Sequence, residues 1–363
     1  MTDVLAQFGL GGDDLATQIE PASYPRPTQG RIAHIDADFL AYQVSAETRD
    51  ELDGIKPRKS FEDMKHNAQE AALHLMRCAG ATDYRCHLTP SGSTKGGRPG
   101  QAVQQEYQSN RNGRLKPEFL DKIRAYMGQE MNGVIHLDQE ADDGMAQANY
   151  AVYVDKPCGA EGVEMRNSVI VSMDKDLRMV PGLHYDFDTG EVFNVNERFG
   201  KIWIDDTKSQ KSVKGWGTKF FWAQCLMGDA ADTIRGLPEM SGMTWLEFQP
   251  TAAYKKLSDK FLSEEETPDV LSKIRVLQAK TKKVGPVLAY EFLKDVRNDV
   301  EAFTVVRDAW KALEQHSGYE FFHWATGERV SATQALLGDM QLLWMRRNKN
   351  PNDVVEWLKE VMS

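Results

Sequence analysis

The sequence predicts an α/β protein built on a doubly wound, largely parallel central sheet. Two observations carry that reading. Short apolar or β-branched runs recur, RIAHID at 31–36, YRCHLT at 84–89, VIHL at 134–137 and SVIVSM at 168–173. Between them lie stretches with apolar residues at three- and four-residue steps, at 61–79, 115–130 and 142–154. Strand and helix therefore alternate, and parallel strands need such crossover helices between them.

The elements follow in order. Residues 1–30 end in PASYPRPTQG and read as an extension closed by a linker. The first strand ends on Asp36, and the helix at 61–79 follows. After the strand at 84–89 comes PSGSTKGGRPG, whose four glycines and two prolines predict a mobile loop. The helix at 115–130, the strand at 134–137, the helix at 142–154 and the strand at 168–173 complete the α/β series. LHYDFDTGEVFNV reads as a hairpin turning at Asp188-Thr189-Gly190. From about Lys201 the chain turns to helical patterns carrying Trp and Met, without clear strand alternation. The expected organisation is an extension at 1–30, an α/β domain at 31–200 and a helical region at 201–363. There is no internal repeat.

Composition narrows the classes. The chain has 363 residues, with 44 Lys and Arg against 54 Asp and Glu, a net charge of −10. That balance argues against non-specific coating of a polyanion, though not against a local basic face. No run approaches 18 uncharged apolar residues, so no membrane partner is expected. The first twenty residues lack the pattern of a secretory signal. Cys78, Cys86, Cys158 and Cys225 are far apart with no CxxC, which suits buried thiols in a reducing compartment. The expected location is the cytoplasm.

The acids are clustered. Asp36 and Asp38 close the first strand in IDADFLAY; Glu140, Asp142 and Asp143 follow the third in QEADDG. Asp174 and Asp176 close the fourth in VSMDKDL, and Asp229 and Asp232 lie in MGDAADTIRGLP. Ligands of open parallel sheets bind outside the carboxyl ends of the strands, so three clusters are expected to meet at one rim. Carboxylates crowded together need raised pKa values or bound cations. Oxygen ligands without His or Cys select Mg²⁺ or Mn²⁺. Two such ions suit hydrolysis of a phosphate ester. Each pair alone is equally an ordinary helix cap or turn; four at matching positions are not.

The chain resembles the 5′-nuclease superfamily of flap endonucleases and bacteriophage 5′–3′ exonucleases, a PIN-like fold. The matching residues are IDADFLAY (35–42), YQSNR (107–111), EADD (140–143), MDKDL (173–177), GDAADTIRGLP (228–238) and VGPVLAYEFL (284–293), in the family's order. The small tailed-phage exonucleases are the most similar branch by the DxD of the first motif. The resemblance implies a helical arch and, in the C-terminal region, a helix-hairpin split by an insertion at about 239–282. It implies that Asp36, Glu140, Asp142, Asp143, Asp174, Asp176, Asp229 and Asp232 surround two Mg²⁺ ions, with Mn²⁺ able to substitute. Asp38 then supports those ligands from outside. Arg111 would meet the scissile phosphate, and Asp36, Asp142 and Asp174 would be the carboxylates central to catalysis. Tyr107, Arg98, Arg111, Arg114, Lys214, Lys219, Lys283 and Gly285 would contact DNA. The implied activity is 5′–3′ exonuclease or 5′ flap endonuclease on duplex or branched DNA with a 5′ end, or on an RNA–DNA hybrid, in a host cytoplasm if the chain is phage-encoded.

Two departures stand out. The family's Asp after the second strand is absent, LTPSGS standing there, and Gln108 replaces the arch lysine; Lys95, Arg98 and Arg114 are the candidates to supply that charge. A non-catalytic branched-DNA-binding subunit and a PIN-type single-strand ribonuclease remain open as alternatives. The runs Lys208, Lys211, Lys214, Lys219 and Lys280, Lys282, Lys283 abut the segments assigned to DNA. Arg346, Arg347 and Lys349 read instead as a solvated helix end. Nine of the 54 acids form the clusters, which leaves 45 acids against 44 basic residues elsewhere. The net charge is thus almost wholly the charge of the expected site, and two divalent ions would turn it toward phosphate.

Overall fold

The computed structural model describes residues 24–46, 49–50, 54–55, 60–154, 167–207, 209–241, 281–317 and 319–363. The chain forms two compact units. The first comprises Met1–Gly97, Gly113–Arg198 and Met345–Asp353; the second comprises Arg98–Asn112, Phe199–Trp344 and Val354–Ser363. The α/β unit thus gives up a short segment after its second strand and takes one back near the C-terminus. Cys158, Trp245, Lys208, Lys280 and most of the 239–282 insertion lie outside the described residues.

The first unit is a six-stranded, mostly parallel sheet. Its strands are β1 (Ile32–Asp36), β4 (Asp83–Leu88), β5 (Gly133–Ile135), β6 (Ser168–Val171), β7 (Gly182–Asp186) and β8 (Glu191–Val195); β2 (Arg49–Asp50) and β3 (Gly54–Ile55) form a separate small ladder. Across the sheet the order is β5-β4-β1-β6-β7-β8, parallel throughout except for the β7–β8 hairpin. β1 lies inside the sheet between β4 and β6, with Ala33 and Ile35 enclosed on one face and His34 buried on the other. The crossovers are α1 (Ala37–Ser45), α2 (Phe61–Cys78), α3 (Leu120–Glu130) and α4 (Ala141–Val154). A Ser60–Asp63 capping box starts α2, and Met64, Ala68, Ala71 and Ala72 form its buried stripe.

The expected series of strands and helices appears in order, with α1 in addition and the boundaries shifted by a few residues. The third helix starts at Leu120 rather than 115, since a proline at 117 disfavours helical backbone at the residue before it. The third strand is shorter, Gly133–Ile135, although the His136 N–H still donates to the Leu88 carbonyl of β4 at 2.9 Å.

The second unit is helical, as expected, but it also holds strands that the sequence pattern hid. β9 (Lys201–Asp205) and β10 (Ser212–Trp216) form an antiparallel pair whose Trp203 and Trp216 rings meet edge to face. Five-residue strands flanked by lysines read as a charged coil, so the alternation escaped notice. β11 (Met240–Ser241) pairs with β12 (Thr281–Lys282), and β13 (Phe321–Phe322) with β14 (Arg329–Val330). α5 (Thr218–Met227) is buried on nearly every side, so it carries no amphipathic stripe. Around it lie α6 (Pro286–Leu293), α7 (Asp299–Ser317), α8 (Ala332–Leu343) and α9 (Asp353–Met362), the last with only Asp353 in the first unit. Trp222, Trp310 and Trp344 are buried, and Trp357 stacks on Trp344 with ring centres 4.4 Å apart. These tryptophans pack the core, as expected of them.

Candidate active site

The acids of the first unit stand at the carboxyl ends of its parallel strands, where the backbone leaves the sheet. Asp36 ends β1 and caps α1, its carboxylate accepting from the Phe39 N–H at 3.1 Å. The Ser172 hydroxyl, just beyond β6, donates to the other Asp36 oxygen at 3.1 Å and accepts from the Asp174 N–H at 3.0 Å. Asp174 in turn caps the short 3₁₀ turn Lys175–Met179 through the Asp176 N–H at 2.8 Å. One serine thus ties the first and fourth strand ends together.

The third cluster opens α4. The Thr89 hydroxyl accepts from the Ala141 N–H at 2.8 Å, so a residue after β4 caps a helix that begins after β5. The Thr89 N–H donates to Asp38 at 2.8 Å, and Asp38 is also ion-paired to Arg124 at 3.0 Å. Asp38 therefore braces the strand ends. The LTPSGS segment supplies structural hydroxyls beyond β4: Ser93 donates to the Gln139 carbonyl at 2.9 Å. The loop beyond it is pinned by the Thr94 N–H on the Leu137 carbonyl at 3.0 Å. It brings the Lys95 ammonium to 3.9 Å from the Glu140 carboxylate. Asp143, with no exposed surface, accepts from the Arg346 N–H at 3.0 Å. Asp176 is ion-paired to Lys175 at 3.0 Å.

Electrostatics show that these groups feel one another. Burial first, and then the charges of Asp36, Asp174, Glu140 and Asp143, push the Asp142 carboxyl well above the usual carboxylate range. Burial raises Asp36 to about 6, aided by Asp38 and Asp174 and opposed by the hydrogen bonds from Phe39 and Ser172. Among the described residues, no three His, Cys, Asp or Glu side chains are gathered as a finished ion-binding group. The chemistry of the donor set nonetheless fits a hard divalent cation. Every donor is a carboxylate oxygen, two of the carboxyls are raised by burial and by one another's charge, and a cation would relieve that repulsion.

The fourth cluster belongs to the second unit. Asp229 and Ile234 exchange backbone hydrogen bonds, which closes a tight loop, and the Asp229 carboxylate accepts from the Ala231 N–H at 2.8 Å. The loop closes because Gly228 and Gly236 touch backbone to backbone, leaving no space for a Cβ on either. The Gln104–Arg111 segment lies on it. Asp232 accepts from the Tyr107 hydroxyl at 3.4 Å, from Gln108 Nε2 at 3.1 Å and from Arg111 Nη2 at 2.5 Å. Asn110 Nδ2 donates to the Ala230 and Ala231 carbonyls at 3.1 and 3.0 Å. The residues expected to form an arch against DNA are thus bound to the GDAADT loop.

The expected DNA-contacting residues divide by exposure. Arg111 is half exposed, and Arg114 and Lys283 are exposed. Lys214 is ion-paired to Asp205 at 3.1 Å. Lys219 is buried and caps a helix end, its ammonium donating to the Lys294 and Val296 carbonyls at 3.1 and 2.8 Å. Gly285 caps α6 with Pro286 as its first residue. Arg98 differs from expectation: it has no exposed surface and donates to the Trp344 carbonyl at 2.9 Å. The one-turn helix Arg98–Gln101 packs that side chain inward, so Arg98 is not a surface cation.

Sequence reasoning missed five residues. Thr89 was read only as part of a departure from a motif, although it holds two strand ends. Arg346 was read as a solvated end and is instead 3% exposed. His34, His87 and His136 form a chain, with ring nitrogens 3.0 and 2.9 Å apart, that ends on Gln139. The Gln139 amide donates to His136, so each imidazole passes one N–H along the chain and all three are neutral. Burial lowers His34 to about 4. The alternation of His34 with Asp36 on β1 was the available signal.

No family model matches the sequence, and no curated protein matches it. The chain is similar to solved structures. One is the bacteriophage T5 flap endonuclease in a pseudo-enzyme–product complex with DNA and metal ions, at 12% identity and a TM-score of 0.40, over 86% of this chain and 98% of that one. Another is T5 5′-exonuclease with zinc bound, at 13% identity and a TM-score of 0.38, over 86% of this chain and 100% of that one.

Proposed function

We propose that this protein is a metal-dependent 5′-nuclease that hydrolyses DNA phosphodiesters as a 5′–3′ exonuclease or 5′ flap endonuclease. The observation that carries the reading is Asp142, buried at the carboxyl edge of a parallel sheet among the charges of Asp36, Asp174, Glu140 and Asp143. The ordered motifs from IDADFLAY to VGPVLAYEFL support it. Asp36, Glu140, Asp142, Asp143, Asp174 and Asp176 of the first unit would hold a pair of Mg²⁺ ions. Such ions, when bound, acidify a water and neutralise the departing oxygen.

The protein's own part is orientation. Asp36 has one oxygen on Ser172 and the other on Phe39, so its rotamer is fixed before any ligand arrives. Asp38, Thr89 and Ala141 hold the QEADD turn against β4. Arg111, half exposed beside Asp232, is the cation proposed to meet the substrate phosphate. The test is cleavage of 5′-labelled duplex and flap DNA with and without Mg²⁺, with Asp142→Ala and Asp174→Ala as controls. Equal cleavage by wild type and both variants would sink the reading.

One observation favours a second reading, a non-catalytic branched-DNA-binding subunit. Thr89 and Ser93 occupy the second strand end with structural hydrogen bonds where the family places a ligand. Binding of flap DNA that survives chelation, with no turnover on duplex, nick or flap, would decide for it. A ribonuclease instead of a deoxyribonuclease would cleave single-stranded RNA faster than duplex DNA in the same assay.

A further inference from the structure

The segment Met345–Asp353 leaves the second unit and belongs to the first. It is seated there by several contacts. The Met345 N–H meets Met179 Sδ at 3.5 Å, at the end of the turn that carries Asp176. The Arg346 N–H holds Asp143 at 3.0 Å. Gln147 Nε2 donates to the Asn348 carbonyl at 3.1 Å, and the Arg347 guanidinium lies over the Tyr150 ring, 4.9 Å from its centre. The segment therefore runs along α4 from Asp143 to Tyr150 and touches two of the acid-bearing turns.

Arg346 is the residue at the centre of this seat. Its side chain is buried, an expensive place for a guanidinium that does nothing. It packs against Gly96, where a Cβ would overlap the guanidinium. Gly96 lies in a left-handed run with φ of 50° at Lys95, 64° at Gly96 and 76° at Gly97. A non-glycine residue in that region stores strain unless its surroundings hold it. Lys95 is so held, and its ammonium faces Glu140 at 3.9 Å. One residue thus braces both ends of the QEADD turn, Asp143 through its backbone N–H and Glu140 through the loop it packs under.

We infer that Arg346 is a positioning residue of the carboxylate cluster, and that the Met345–Asp353 segment is a working part of the cation site although it lies some 200 residues from the acids it orients. The inference rests on the proposed metal-dependent function. It has a directional signature. By charge alone, removing a nearby cation would tighten divalent binding, because repulsion of the ion falls. Loss of positioning would weaken it, as loss of groups supporting metal ligands does, by about 10–100-fold.

The experiment is Mn²⁺ binding followed by the loss of the free-ion electron paramagnetic resonance signal, without DNA and without turnover. The wild type is compared with Arg346→Ala, Arg346→Lys, Gly96→Ala and, as a control, Lys349→Ala, whose side chain is 75% exposed in the same segment. The expected result is Mn²⁺ binding weakened about tenfold or more in the first three variants and unchanged in the control. Arg346→Lys keeps the charge without the planar guanidinium, so its weakening separates shape from charge. Unchanged or tighter binding in the Arg346 variants that retain the wild-type circular dichroism overturns the inference. So does failure of every Arg346 and Gly96 variant to fold, which would make the contact a requirement of the fold instead. A wild type that binds no Mn²⁺ would fail the proposed function itself, a different outcome.

Discussion

Asp232 accepts the Arg111 guanidinium at 2.5 Å, so the cation proposed for the substrate phosphate is matched in the free protein to an acid of the GDAADT loop. The two are 53% and 24% exposed, and water screens them, so the pair stabilises the fold by no more than about 0.5–1 kcal/mol. A double-mutant cycle on Arg111→Ala and Asp232→Asn, read by urea unfolding, should return a coupling of that size. Cleavage should respond far more strongly, falling about 100-fold in Arg111→Ala if the guanidinium meets the reacting phosphate. A loss of activity no larger than the loss of stability would assign Arg111 to the loop alone.

Asp142 is held above the ordinary carboxylate range by burial and four neighbouring acids. Asp142→Asn removes a repelling charge from the metal-free protein and a ligand from the metal-bound one. The expected pattern is therefore opposed. Cleavage falls about 100-fold or more, equivalent to several kcal/mol of lost transition-state stabilisation, while metal-free stability holds or rises. Chelation of the wild type should abolish cleavage with the circular dichroism intact. Thermal melts with and without Mg²⁺ complete the check: Mg²⁺ should stabilise the wild type and have a smaller effect on Asp142→Asn.

These expectations also show which parts of the site the sequence could reveal. Asp36 and Asp174 were legible as candidates because an apolar or β-branched run with a carboxylate at or just past its end marks a strand and the sheet edge where ligands bind. Glu140–Asp143 were legible because acids favour a helix start whatever their further role. Arg346 was not, since basic residues after an amphipathic helix look like any solvated end, and its partners Gly96 and Asp143 are distant in sequence. Arg98 misled for the converse reason. A basic residue in a Gly-rich stretch suggests a surface loop, whereas a single helical turn drives it into the second unit's core. β9 and β10 were hidden by brevity, their identity coming from pairing with each other rather than from either pattern alone.

His184, on β7, is buried and donates to the Val180 carbonyl at 2.7 Å; burial lowers its pKa to about 4. The unfolded chain protonates near 6.5, so between 6.5 and 4 the unfolded state binds the extra proton and stability falls as pH falls. From pH 7 to pH 5 the loss from this one residue is about 2 kcal/mol. His184→Gln can keep a donor toward Val180 without titrating. Its stability difference from wild type should shift by about that amount over the same interval in urea unfolding. A constant difference would show that His184 is not held neutral.

Asp339 on α8 titrates in the opposite sense. Its buried carboxylate accepts from the Gly236 N–H and from Gln104 Nε2, both at 2.9 Å, and so ties the GDAADTIRGLP loop to the Gln104–Arg111 segment. Burial raises its pKa to about 7 against the pull of those hydrogen bonds. As pH falls through 7 the folded carboxyl takes up a proton that the unfolded chain takes only near 3.8, so stability from this group rises on acidification and is lost above pH 7. Between pH 8 and pH 4 the change is about 4 kcal/mol. Asp339→Asn retains an accepting oxygen and carries no charge. It should exceed wild type most at pH 8, with the advantage shrinking by about that amount toward pH 4. Hydrogen exchange at the Gly236 amide provides the local readout. In wild type, after correction for the intrinsic pH dependence of exchange, its protection should fall above pH 7; in Asp339→Asn it should stay level. Equal pH profiles in the two proteins would mean that Asp339 stays ionised in the fold and that its two donors outweigh its burial.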